Sequence, residues 1–370
     1  MLYVLIGLWV VLFIVLIVLA FIWNDEDEII NTDNKAKENI VKEIKNSRLE
    51  KSVFSKWLNN FEIKNEKILE IKTELNKKIV WMEDFVNALL INIFAQWHML
   101  VEWVPWLAKT KTITTISDIM DMDSSRIQFT PDMMPSDLIW VEIFNSKTQE
   151  FEVKKWPVFT NILLADEINR TTPKVQSALL EAMQEKQVSI WSYTYKLDKP
   201  FFVLATQNPI EQEWTYQLPE AQLDRFIFKA IVDYPSLEEE TKILNSIQDE
   251  SKIEVNKVLD KEWYSNIIEE INNVMVSDSI KDYIARLIQS TRSWDSRIYY
   301  WASPRWSIAL FQWSKVLAYM NNRDYVLHED VQNIALLALR HRVVLTYDAI
   351  IDWNEVDDVL IDVLSTVNLE

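Results

Sequence analysis

A 370-residue chain with one glycine, Gly7, and seventeen tryptophans faces a backbone problem before it faces a packing problem. Glycine normally supplies about 7% of residues. It is the residue that takes positive φ without steric cost in turns and close backbone approaches. Tryptophan, with a bulky indole on Cβ, is the poorest replacement. Either the fold dispenses with glycine, or tryptophan letters stand at glycine codons read with the wrong table. UGA is a codon that genetic codes read differently, and the positions of the tryptophans choose between the two.

The chain opens on LYVLIGLWVVLFIVLIVLAFIW, residues 2–23, an unbroken apolar run of transmembrane length. No Lys or Arg precedes it and no small-residue cleavage site follows, which disfavours a cleaved signal peptide. Lys35, Lys37, Lys42, Lys45 and Arg48 follow the run, so the expected topology is single-pass with the C-terminal part in the cytoplasm. Residues 24–75 are rich in Lys, Glu, Asn and Ile, with apolar residues at helical spacing, and are expected to form a charged helical stalk or linker.

From residue 76 to about 240 the pattern alternates between strands and helices. Strands are expected at His98–Glu102, Ile162–Ala165 and Phe201–Thr206, and helices at Lys109–Met120 and Pro173–Gln184. Hairpins are expected from Val141–Phe144 with Phe151–Val153, and from Val188–Ile190 with Tyr193–Leu197. Such alternation implies an α/β fold with a parallel sheet. Beyond 240 only amphipathic helices are expected, forming a C-terminal lid over 241–370.

The expected strand at 98–102 runs into Trp103-Val104-Pro105-Trp106-Leu107-Ala108-Lys109-Thr110. With glycine at 103 and 106 this is a phosphate-binding loop between a strand and a helix. Backbone N–H groups wrap the phosphates, Lys109 meets the β- and γ-phosphates, and the Thr110 hydroxyl holds Mg²⁺. As written, two indoles stand where the nucleotide must approach. Asp166 and Glu167 end a buried strand farther on: Asp166 suits Mg²⁺, and Glu167 suits polarising the attacking water. Asn208, after the strand FFVLATQ, could orient that water; Arg225 could serve as an arginine finger on a neighbouring subunit. Ser303 is expected to cap a helix with Pro304 at its first position, aiming Arg305 as a lid-borne phosphate sensor.

LLADEINRTTPKVQSALLEAMQEKQVSI, continuing through FFVLATQNPIEQEWTYQLPEAQLDRF, resembles the MoxR family of AAA+ ATPases, as do FTPDMMPSDL, YYWASPRWSIAL and ALRHRVVL. The resemblance runs from about 76 to 370. The family pattern has glycine where this chain has Trp81, Trp97, Trp103, Trp106, Trp140, Trp156, Trp191, Trp214, Trp301 and Trp353. Independently, Trp191-Ser192 falls in a two-residue hairpin turn, which selects glycine. Recoding is therefore the favoured reading, although Gln149 also replaces a family glycine and the membrane run is not a usual family feature. The resemblance implies ATP and Mg²⁺ as ligands, a hexameric ring with ATP between subunits, and remodelling or maturation of a client protein. It also implies a partner carrying a von Willebrand factor A domain.

The formal net charge of −18 disfavours nucleic-acid coating, which needs clustered Lys and Arg. Cysteine is absent, which excludes thiolate chemistry, and His98, His328 and His341 lack metal-ligand spacing. A competing reading is a non-hydrolysing membrane scaffold in which the tryptophans are real and fill the pocket. The ATPase subunit of a metal-ion chelatase shares the same core, but the MoxR-like stretches argue against it.

Overall fold

A computed structural model describes residues 63–79, 82–103, 109–145, 150–155, 157–190, 193–207, 253–293, 296–300, 303–339, 343–352 and 355–367, with β9 and scattered positions between 208 and 252. The apolar run at 2–23, the phosphate-loop residues Val104–Ala108 and Asn208 lie outside the described residues. Among the described residues no helix is long and apolar enough to cross a membrane.

Five parallel strands form the central sheet: β1 (Met99–Trp103), β2 (Ser124–Gln128), β5 (Ile162–Asp166), β8 (Phe202–Gln207) and β9 (Phe228–Val232). Their order is β2-β5-β8-β1-β9. The interior strands are continuous apolar runs because helices cover both faces of such a sheet; every residue of β5 is buried. Register places Ala205 of β8 between Ala165 of β5 and Leu100 of β1. Helix α3 (Lys109–Ile119) follows β1, the short α4 (Pro135–Ile139) leads into β3, and α5 (Pro173–Glu185) follows β5 with a proline in its first turn, where a missing N–H costs nothing. Two antiparallel hairpins, β3–β4 (Trp140–Asn145, Glu150–Lys155) and β6–β7 (Gln187–Ile190, Tyr193–Lys196), project from the connections.

Two helices precede the sheet. Helix α1 (Glu66–Lys78) is capped by the Asn65 side chain, which accepts from the Ile68 N–H at 3.4 Å. Its stripe of Ile68, Ile71 and Leu75 is fully buried at helical spacing. The stalk expected to end at 75 thus gives way: α1 runs across that point and belongs to the folded body. Its start is held by Met320, whose carbonyl accepts from both the Lys64 and Asn65 N–H groups at 2.9 Å. Near its C-terminus, Glu74 accepts from the Asn256 N–H at 2.9 Å. Helix α2 (Glu83–Phe94) follows; beyond its acidic first two residues it is apolar apart from the buried Asn87 and Asn92.

The C-terminal region is helical: α6 (Lys261–Asn273), α7 (Asp278–Ser293), α8 (Arg305–Met320), α9 (His328–Leu339), α10 (Tyr347–Ile351) and α11 (Val356–Thr366). Two corrections apply. The region holds a short antiparallel pair, β10 (Ile298–Tyr300) and β11 (Val344–Leu345), too brief to leave an apolar signature. Helix α8 begins at Arg305 with Pro304 at the N-cap, one residue later than expected, and the Ser303 carbonyl accepts the Trp306 N–H at 3.0 Å. Trp306 and Trp313 are both fully buried on α8, with ring centroids 6.3 Å apart.

Candidate active site

The site lies at the carboxyl ends of β1, β5 and β8, where open α/β sheets bind ligands. Strand β1 delivers the chain to α3, whose first residues are Lys109 and Thr110. The Lys109 ammonium stands 3.5 Å from Asp166 Oδ1, with both side chains largely buried. Asp166 ends β5 and accepts from the Thr206 hydroxyl on β8 at 2.6 Å, and from Arg126 Nη2 on β2 at 2.7 Å. Burial raises the pKa of Asp166, but the Thr206, Arg126 and Lys109 contacts outweigh it and hold the carboxyl below the ordinary range. It is therefore ionised at neutral pH, as a metal ligand must be.

Glu167 occupies the left-handed region, φ 59° and ψ 49°, an uncommon conformation for a residue with a Cβ. Three contacts hold it there. Its N–H donates to Thr206 Oγ1 at 3.0 Å, and its carboxylate accepts from Gln128 Nε2 at 2.6 Å. Arg170 Nε pairs with the same carboxylate oxygen at 3.1 Å.

Lys109, Thr110 and Asp166 fit a Mg²⁺–nucleotide. Mg²⁺ commonly takes one or two carboxylates and completes its shell with phosphates and water.

Arg225 and Arg305 are not brought to Lys109. They line a different cavity of about 310 Å³, together with Trp97 and His98. Those two residues precede β1, whereas Lys109 follows it. A five-residue strand, roughly 17 Å at 3.3 Å per residue, separates the two places. The Trp97 indole N–H donates to Gln312 on α8 across the same cavity. Thr206, Arg126, Gln128 and Arg170 are site residues that motif reading missed. Thr206 lies two positions before Asn208 in a stretch already singled out, and Arg126 and Gln128 flank the only buried position of β2.

A parallel sheet with a lysine at the head of the helix after β1, an acidic pair at the end of β5 and a helical region beyond is the arrangement of an AAA+ ATPase core and lid. The family model for the ATPase family associated with various cellular activities (AAA) matches residues 98–228, and the AAA lid domain model matches 295–361. YeaC of Bacillus subtilis is 43% identical over 296 residues, covering 80% of this chain and 92% of that protein. Chaperone MoxR1 of Mycobacterium tuberculosis is 41% identical over 304 residues, covering 80% of each. The crystal structure of a Cytophaga hutchinsonii protein assigned as an ATPase is 43% identical, superposes with a TM-score of 0.77, and covers 88% of this chain and 98% of its own. This chain belongs to the MoxR family of AAA+ ATPases.

Proposed function

We propose that the chain binds and hydrolyses ATP with Mg²⁺ and uses the cycle to remodel or mature a client protein. The observation that carries this reading is the Lys109–Asp166–Thr206–Glu167 cluster at the carboxyl end of the sheet. Bound Mg²⁺ would supply charge neutralisation at the β- and γ-phosphates. Lys109 and Thr110 hold the nucleotide and metal, Asp166 orients the metal's water shell, and Glu167 polarises the attacking water. Asn208 lies two residues beyond Thr206, where it would position that water.

The cavity holding Arg225 and Arg305 supports a ring in which both arginines serve the nucleotide of an adjacent copy. Hexamer assembly with ATP between subunits and a partner bearing a von Willebrand factor A domain are part of the same proposal. So is glycine at Trp103 and Trp106, because the backbone cradle that Lys109 requires leaves no room for two indoles. The apolar run at 2–23 supports a single-pass membrane anchor with the ATPase in the cytoplasm, and the charge of −18 supports protein clients over nucleic acid. The division into 1–23, 24–75, 76–240 and 241–370 is proposed with one change: α1 (Glu66–Lys78) goes to the folded body, which ends the linker before Glu66.

The test uses the chain with glycine at 103 and 106. Lys109→Ala is expected to abolish ATP binding, while Glu167→Gln binds ATP and does not turn it over. Equal hydrolysis by wild type and Glu167→Gln would overturn the assignment.

A further inference from the structure

The cavity of about 310 Å³ at the N-terminal end of β1 has an unusual charge for this molecule. Lys186, Arg225 and Arg305 line it, together with Gln96, Gln184 and Gln312. Among the described residues lining it, none is Asp or Glu. The chain as a whole carries a formal net charge of −18, with 56 acidic and 38 basic residues, so three cations lining one cavity run against the composition.

Lys186 is held there by its backbone. It closes α5 in the left-handed conformation, φ 52° and ψ 32°. Its N–H donates to the Ala182 carbonyl at 3.0 Å, and its own carbonyl accepts the Leu197 N–H at 2.9 Å. The residue is thereby fixed at the junction of α5 and the β6–β7 hairpin. Burial, and then the neighbouring Lys199 ammonium, push the Lys186 pKa down. Lys186 also borders a smaller cavity of about 70 Å³ that Lys199 lines, so the positive field extends beyond the three cavity cations. A place that concentrates cations and amide donors, and that presents no carboxylate among its described lining residues, suits a multiply charged anion carrying several acceptor oxygens.

We propose that Lys186 is a third phosphate-contacting cation, receiving with Arg225 and Arg305 the terminal phosphate of ATP held on Lys109 of an adjacent copy. The inference rests on the proposed ATPase ring and adds to it a residue outside the arginine pair. Trp97 is one of the positions proposed to carry glycine; its indole would then leave the wall and widen the cavity, while all three cations stay.

The test again uses the chain with glycine at 103 and 106. Lys186→Gln is expected to lower hydrolysis about 10- to 100-fold, the effect of losing one hydrogen bond to a charged group. Lys186→Arg is expected to restore most of it, and ATP affinity of dilute, unassembled subunits is expected to stay within about twofold, as the loop and Lys109 make those contacts. Rings mixed from Lys186→Gln and Lys109→Ala subunits are expected to regain part of the activity, since some interfaces pair an intact Lys186 with an intact Lys109. Three outcomes overturn the inference: hydrolysis by Lys186→Gln at the wild-type rate, no recovery in mixed rings that assemble, or no rescue by Lys186→Arg. A fourth is pyrophosphate raising the melting temperature of Lys109→Ala subunits through Lys186 while Lys186→Gln leaves hydrolysis unchanged, which assigns the cavity to a free anion. A wild-type chain that hydrolyses no ATP, or a Lys109→Ala chain that hydrolyses normally, overturns the proposed function itself.

Discussion

Replacing Thr206 by valine removes one oxygen and almost no volume, and that oxygen serves both carboxylate residues of the site. The Thr206 hydroxyl donates to Asp166 Oδ1 at 2.6 Å and accepts the Glu167 N–H at 3.0 Å, from a side chain with no exposed surface. A hydrogen bond to a charged partner contributes about 1.5–3 kcal/mol, and a buried donor left without its acceptor costs about 1–3 kcal/mol. The two losses overlap because both groups relax together, so Thr206→Val is expected to cost about 2–4 kcal/mol. Glu167 also loses a restraint on its left-handed backbone, an arrangement that costs about 1–3 kcal/mol and persists only where surroundings hold it. Turnover should therefore fall along with stability. Urea unfolding of the soluble fragment from about residue 63 measures the first effect and steady-state hydrolysis the second. Thr206→Ser, which keeps the hydroxyl, should recover most of both. A Thr206→Val chain that unfolds within about 0.5 kcal/mol of wild type with an unchanged kcat would refute the account of how the two carboxylates are held.

His98 gives a pH-dependent test. The Val203 N–H donates to its Nδ1 at 3.1 Å, which leaves the hydrogen on Nε2 facing the Met183 carbonyl at 3.2 Å. Burial pushes its pKa down from 6.5 to about 4, so the unfolded chain binds the proton more readily than the folded one. Its contribution is fully present above the unfolded value and is lost as pH falls toward 4, amounting to about 3 kcal/mol. His98→Gln should flatten the acid side of a melting-temperature profile between those values; parallel profiles would count against a neutral buried imidazole. For the tryptophans, mass spectrometry of natural peptides spanning 98–111 is expected to show glycine masses at 103 and 106, and intact indole masses there would end the recoding proposal. For the anchor, protease applied to intact cells should leave the ATPase region whole, and its digestion would reverse the proposed topology.

The interior strands were legible because each is an apolar run bounded by polar residues: β1, β5 and β8 lie within one residue of expectation at either end. Strand β2 was not, since SSRIQ buries only Ile127 and so carries no run to detect. Its absence from the reading had a chemical consequence. Arg126 and Gln128 reach Asp166 and Glu167 only because β2 pairs with β5, nearly forty residues away, placing Gln128 opposite Asp166. Motif spacing identifies residues that share a loop or strand end, such as Lys109 with Thr110, or Asp166 with Glu167. It says nothing about which strand lies next to which, and that order decides the partners of the carboxylates. The same limit applies to Arg305: its place at the head of α8 was readable to within one residue, whereas the cavity it shares with Arg225 depends on how the lid meets the start of β1.

Helix α1 sits astride the two halves of the molecule like a strut bolted at both ends. The N–H groups of Lys64 and Asn65, just before it, are fastened to the last residue of α8, Met320, and its Glu74 accepts the Asn256 N–H in the segment before α6. That segment is itself tied to the sheet region, because the Val258 and Leu259 N–H groups both donate to the Ile119 carbonyl closing α3. A lid that swings away from the sheet must carry Lys64 and Asn65 with it or surrender both bonds to Met320. Rotation of the lid thus becomes displacement of the chain immediately before α1, and tension applied to that chain is delivered to the end of α8, the helix whose first residue is Arg305.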